Sequence, residues 1–225
     1  MRIDKLLSNL KYGSRNDIKK MVKNKLIEVN GETIKSSSIQ VNPDTDQIYL
    51  DGIKVYYKEE VVLMLNKPKD YVCANKDGLH KTVFELIEEP YNRFDLNIAG
   101  RLDIDTVGLV ILTNSGTIVH SLISPNKDVY KTYIVEVDKP FDHNLLLEDM
   151  EILDGANNPY VPLPRKVETL SPLKFKLSIK EGKFHQVKRM VQHCGSKVVN
   201  LKRVSIGDII LDESLDYGEY KEIEL

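Results

Sequence analysis

With 225 residues, 41% of them apolar, the chain has the length for one or two domains and the apolar content for a sizeable core. Its 32 basic and 34 acidic side chains leave a formal charge of -2, which excludes indiscriminate nucleic-acid binding through a bulk cationic field. No window approaches the roughly eighteen consecutive apolar residues of a membrane span, and Met1-Arg2-Ile3-Asp4 lacks a secretory leader, so a cytoplasmic chain with no membrane partner is expected.

In chain order, residues 3–10 carry apolar side chains at helical spacing, Gly13-Ser14 interrupts them, and Ser14 is placed to cap a second helix over 15–23. Asn24, which tolerates left-handed backbone, is expected to end that helix. Asn30-Gly31 within 27–34 and Asp51-Gly52 within 48–55 offer the positive φ angles of type I′ hairpins. Residues 56–60, YYKEE, read as a polar linker, and a strand begins at Val61. Further strands are expected over 108–114, 133–137, 174–179, 198–204 and 218–223, with helices over 117–124 and 184–193. Strands and helices interleave without a regular βαβ rhythm, which favours an α+β class with a mixed or mostly antiparallel sheet. The expected domains are 1–56, a linker 57–60, and 61–225.

Three stretches carry candidate chemistry. In GRLDIDT (100–106), Asp103 stands between a cation, Arg101, and the apolar run GLVILTN, a strand expected to be covered on both faces and therefore rigid. Taken alone, Asp103 or Asp105 could equally cap a turn or pair with Arg101. In HQVKRM, helical spacing gathers Val187, Met190, Val191 and Cys194 on one face and leaves Lys188 at its edge, where a lysine reaches a cleft. An aspartate in a dry site needs such a cation to stay ionised. Tyr133, in an alternating strand, offers an aromatic face and a phenol.

Charge is unevenly spread. Arg15, Lys19, Lys20, Lys23 and Lys25 cluster with Asp17 as the one acid among them, while Lys183, Lys188, Arg189, Lys197, Lys202 and Arg203 share a stretch with no acid before Asp208. Both read as local basic faces. The five histidines lack metal-ligand spacing, Cys73 and Cys194 lie far apart as expected free thiols, and no phosphate-cradling glycine loop occurs. Neither a metal nor a cofactor is expected.

LNKP (65–68), GRLDIDT, KTY (131–133) and EGKFHQVKRM (181–190), in that order, resemble the motifs of the RsuA-like pseudouridine synthases, and residues 1–55 resemble the RNA-binding module named after ribosomal protein S4. The resemblance implies a small N-terminal α/β RNA-binding module, then a catalytic domain whose central, mostly antiparallel sheet is flanked by helices and crossed by the active cleft. It implies isomerisation of one uridine to pseudouridine in ribosomal RNA, with uridine 516 of the small subunit the first choice. Asp103 falls on the family's essential aspartate, Lys188 on its basic residue and Tyr133 on its active-site tyrosine. Arg15, Lys19, Lys20, Lys23, Arg101, Lys183 and Arg189 are the expected RNA contacts. Asp70 stands where the family usually has glycine, and Lys25 does likewise. A monomer acting on ribosomal RNA inside a small-subunit assembly intermediate is expected. Three other readings stay open: a large-subunit synthase of the RluB, RluE or RluF kind, a non-catalytic ribosome-assembly factor on the same fold, and action on transfer or messenger RNA, since substrate choice resides in surface shape.

Overall fold

The computed structural model describes residues 1–124, 129–163 and 165–225. The chain forms two compact units, one of residues 1–61 with 87–96, the other of residues 62–86 with 97–225. The first unit reaches beyond the sequence boundary and recruits a segment that composition alone gives no reason to assign to it.

Helices α1 (Ile3–Asn9) and α2 (Arg15–Lys23) open the first unit. They bury Ile3, Leu6, Leu7, Ile18 and Val22. Ser14 caps α2: its hydroxyl accepts from the Asp17 amide at 3.2 Å, and the Asp17 carboxylate accepts from the Ser14 amide at 3.1 Å. This reciprocal arrangement satisfies two backbone donors that the first helical turn leaves orphaned. Ser14→Ala is therefore expected to cost about 1 kcal/mol, read as a lowered thermal unfolding midpoint with α2 otherwise intact. The helix ends differently from the expectation. Asn24 keeps a negative φ of -83°, and Lys25 takes the left-handed conformation at φ 58°. The residue one beyond the cap must turn the chain, so a lysine occupies the place where glycine is easiest.

Strands β1 (Ile27–Val29), β2 (Glu32–Thr33), β3 (Ile48–Leu50) and β4 (Ile53–Lys54) pair in the order β2-β1-β3-β4. Both expected hairpins form, with Asn30 and Asp51 at φ 52° and 50°. The 87–96 segment joins this unit through rings and cations. Tyr56 meets Tyr91 and Phe94 edge-on at 5.6 and 6.0 Å, Arg93 lies 4.0 Å over Tyr12, and the Lys11 ammonium donates to the Phe94 carbonyl at 3.0 Å. Tyr56, read in sequence as linker, is thus an anchor.

The second unit begins with β5 (Val62–Lys67), β6 (Tyr71–Val72), β7 (Lys81–Thr82), β8 (Asn97–Ala99) and β9 (Val107–Thr113). Helix α3 (Gly116–Ile123) follows, its Ser115 hydroxyl accepting from the Ile118 amide. Then come β10 (Lys131–Val137), β11 (Ile152–Leu153), β12 (Pro159–Tyr160), β13 (Lys166–Ser171) and β14 (Lys174–Ile179). Helix α4 (Gln186–His193), β15 (Val198–Ile206), β16 (Ile209–Ile210) and β17 (Tyr220–Glu222) complete it.

The main sheet runs β13-β14-β10-β15-β9-β5-β17. Its neighbours along this path are antiparallel except β15 and β9, which meet in parallel through Lys202 opposite Val107 and Arg203 opposite Gly108. Every residue of β9 is buried, as its unbroken apolar run requires. The join between β15 and β9 positions the site described next.

One expected basic face is corrected here. Arg203 is 2% exposed, with its guanidinium turned inward to the carbonyls of Leu109, Gly100 and Arg101 at 2.8, 2.6 and 3.4 Å. A buried cation needs every donor answered, and β9 with the loop before it supplies carbonyls that face the β15 register.

Candidate active site

A cleft of about 840 Å³ opens in the second unit, with Asp103, Asp105, Tyr133, Lys183, His185, Lys188 and Arg203 on its walls. Its acid-bearing turn is pinned by Lys67 of the LNKP stretch and by Asp70 just beyond it. Lys67, fully buried at the end of β5, donates its ammonium to the carbonyls of Pro68, Ile104 and Thr106 at 3.0, 3.3 and 2.8 Å. Burial pushes this lysine below its ordinary pKa, against the opposing pull of nearby acidic groups. Asp70, with φ 67°, donates its amide to the Ile104 carbonyl at 2.9 Å. The Thr106 amide closes the turn on the Asp103 carbonyl at 3.1 Å. Asp70 therefore adopts the strained backbone that glycine would take, and aspartate is among the few other residues that tolerate it.

Helix α4 brings the cation. Val187, Met190 and Val191 are buried beneath it, and Lys188 at the edge of that face reaches Asp103 Oδ2 at 3.0 Å and Asp105 Oδ1 at 2.6 Å. Asp105, to which the sequence gave no role in the chemistry, makes the shorter of the two bonds. Burial would depress the Lys188 pKa, but the hydrogen bonds and charges of the two aspartates outweigh it and hold the ammonium above its ordinary range. Burial likewise opposes ionisation of Asp105, and Lys188 overrides it, holding that carboxyl below its usual range.

The expected helix over 184–193 starts later, at Gln186. His185 sits just before it at φ 54°, in the left-handed conformation. Its Nε2 lies 3.5 Å from Asp103 Oδ2, and its ring stacks on Phe184 with centroids 3.7 Å apart. Gln186 is buried and ties the motif to itself. Its amide nitrogen donates to Glu181 at 2.9 Å and its oxygen accepts from the Lys183 amide at 3.2 Å. The E-x-x-x-x-Q spacing in EGKFHQ is the signal that was present and unread.

Tyr133 is 7% exposed and shares the cleft-facing side of β10 with Lys131, whose ammonium donates to the Lys180 carbonyl at 2.8 Å. The pairing of β10 with β15 shifts register between Thr132 and Tyr133, and such a shift re-aims a side chain. Of the other expected contacts, Lys183 lies on the cleft wall with its ammonium 3.5 Å over the Tyr160 ring, and Arg101 is exposed at the cleft mouth. Arg189 is used otherwise: its guanidinium donates to the carbonyls of Leu153 and Asp154, fastening β11 to α4. Arg15, Lys19, Lys20 and Lys23 are exposed on α2 of the first unit, away from its buried Ile18 and Val22. Among the described residues no group of three or more histidine, cysteine or acidic side chains has metal-holding geometry.

Residues 61–193 match the RNA pseudouridylate synthase family. The chain belongs to that family. Residues 1–48 match the S4 domain. Among curated relatives, the ribosomal small subunit pseudouridine synthase A of Haemophilus influenzae is 38% identical over 225 residues, covering 99% of this chain and 96% of the relative. An RNA pseudouridine synthase of Bacillus subtilis, described as uncharacterized, is 39% identical over 99% of this chain and 95% of its own length. A solved pseudouridylate synthase is 37% identical with a TM-score of 0.67, covering all of this chain and 96% of that one. A Cbf5-Nop10-Gar1 complex, 15% identical with a TM-score of 0.53 over 70% of this chain and 52% of that one, shares the fold. The chain is thus a pseudouridine synthase of α+β fold, with an S4 RNA-binding domain at its start.

Proposed function

We propose that this chain isomerises one uridine of small-subunit ribosomal RNA, uridine 516, to pseudouridine. It acts as a cytoplasmic monomer on an assembly intermediate, with residues 1–56 gripping RNA and 61–225 carrying the chemistry. The observation that carries the reading is the Asp103 carboxylate, bonded to the Lys188 ammonium in a cleft that Tyr133 also lines. Relatives bearing the small-subunit name match nearly this whole chain, which supports the choice of subunit.

The reaction breaks the bond between ribose C1′ and uracil N1, turns the base, and forms a bond from C1′ to C5. The C5 hydrogen leaves as a proton and N1 gains one, so atoms balance with no redox partner. Asp103 acts on the ribose, either by attack at C1′ or by taking a sugar proton, and Lys188 holds it with a hydrogen bond to one oxygen. Tyr133 holds the detached base by its ring face. A stacked uridine cannot reach Asp103, so the nucleotide must be extruded at a cost of a few kcal/mol, offset by phosphate contacts elsewhere.

Purified protein incubated with small-subunit particles and with large-subunit RNA tests the reading, pseudouridine being scored by carbodiimide-dependent primer-extension stops. A new stop at uridine 516 is the expected result; stops confined to large-subunit RNA would overturn the substrate. Binding should also weaken steeply with salt. Replacing Arg15, Lys19, Lys20 and Lys23 with glutamine should reduce the slope of log affinity against log salt by about 3, since each phosphate contact contributes roughly 0.7 to 0.9. An unchanged slope in a filter-binding titration would remove these side chains from the RNA interface.

A further inference from the structure

Lys188 serves two carboxylates, and the bond to the one that the proposed chemistry does not use is the shorter: 2.6 Å to Asp105 against 3.0 Å to Asp103. We propose that Asp105 is a positioning residue that fixes the Lys188 ammonium in direction, so that Asp103 is held by one hydrogen bond at a set angle while the rest of its carboxylate stays free to act. The inference rests on the reading of Asp103 as the reacting acid.

A lysine needs such a second anchor. Its ammonium is a compact charge at the end of a flexible four-carbon stem, and a single carboxylate fixes its distance without fixing its direction. A guanidinium grips one carboxylate with two parallel bonds and orients itself. Here Asp105 supplies the missing constraint. The turn from Asp103 to Thr106 is fixed from behind by the Lys67 ammonium and the Asp70 amide, so residues 103 and 105 face Lys188 from a rigid frame. His185 Nε2 also approaches Asp103 Oδ2, at 3.5 Å. Asp105 itself is 62% exposed on its side chain, so it is not required for packing. The charge of both acids holds Lys188 protonated despite its partial burial, consistent with a role exerted through the lysine.

The test is a double-mutant cycle in single-turnover assays on whichever RNA the wild-type protein modifies, so failure of the small-subunit assignment does not confound it. Asp105→Asn should lower the rate of the chemical step by about 10²-fold, the scale of a misplaced reacting group, with RNA affinity within about twofold and the unfolding midpoint unchanged. Asp105→Glu should recover part of the rate. In a Lys188→Arg background the further loss from Asp105→Asn should shrink to about threefold or less, because the guanidinium orients itself on Asp103. Equal losses in the two backgrounds, a rate unaffected by Asp105→Asn, or a loss confined to RNA affinity or stability would each overturn the proposal. If Asp103→Asn retains activity on the same RNA, the underlying reading of the acid fails instead, and the two failures are distinguishable.

Discussion

Asp103→Asn should abolish pseudouridine formation while leaving the fold and RNA binding in place. The amide has nearly the volume of the carboxylate, and Lys188 keeps a partner in Asp105, so no unpaired buried charge is created. The substitution removes the one group assigned to the ribose. The expected loss is three or more orders of magnitude, on the order found when an enzyme's attacking group is deleted. The assay follows tritium released from C5 of labelled uridine in RNA, alongside filter binding and circular dichroism. A protein that binds RNA, shows wild-type unfolding and releases tritium at more than about a tenth of the normal rate would remove Asp103 from the mechanism.

Gly108→Ala should cause a comparably large loss of stability. Gly108 has φ 101°, and a Cβ added there would lie 2.2 Å from the Arg203 carbonyl oxygen and 2.9 Å from its amide nitrogen. Both are backbone atoms of β15, held in turn by β10, and neither can rotate away. Strands β15 and β9 meet through two register pairs, Lys202 with Val107 and Arg203 with Gly108. The main path of the sheet passes through this meeting, with β13, β14 and β10 on one side and β5 and β17 on the other. The clash also displaces the carbonyls that answer Arg203. A cost of at least about 4 kcal/mol is expected, among the exceptional single substitutions. For a chain of this size that lowers the unfolding midpoint by roughly 10 °C or more. Gly116→Ala, at the start of α3 with no atom within 4 Å of the added carbon, is the control and should shift stability by less than about 0.5 kcal/mol. A midpoint for Gly108→Ala within 2 °C of the control, or about 1 kcal/mol, would show that the two strands separate easily.

Much of the fold was readable because local rules and tertiary packing agree. The Ser14 cap, the two hairpin turns with positive φ at Asn30 and Asp51, and the fully buried β9 all follow from short-range stereochemistry or an unbroken apolar run. The pairing of Asp103 with Lys188, separated by 85 positions, was legible only through motif resemblance and the edge position of a lysine on an amphipathic helix. Periodicity could extend that helix back to Phe184 but could not reveal that His185 turns left-handed and reaches the acid.

What the sequence determined by itself was which segments become helices, turns and buried strands, since these depend on residue type and near neighbours. Tertiary structure alone decided what each cation faces. Arg203 and Lys67 carry the same formal charge as any surface residue, yet both are interior, answered by carbonyls from β9 and from the turn that carries Asp103. It also decided that Asp105 shares Lys188 and that Arg189 fastens a hairpin. The physical reason is common to all four: a charged side chain is stable wherever its donors or acceptors are satisfied, and those partners come from segments far away in the chain.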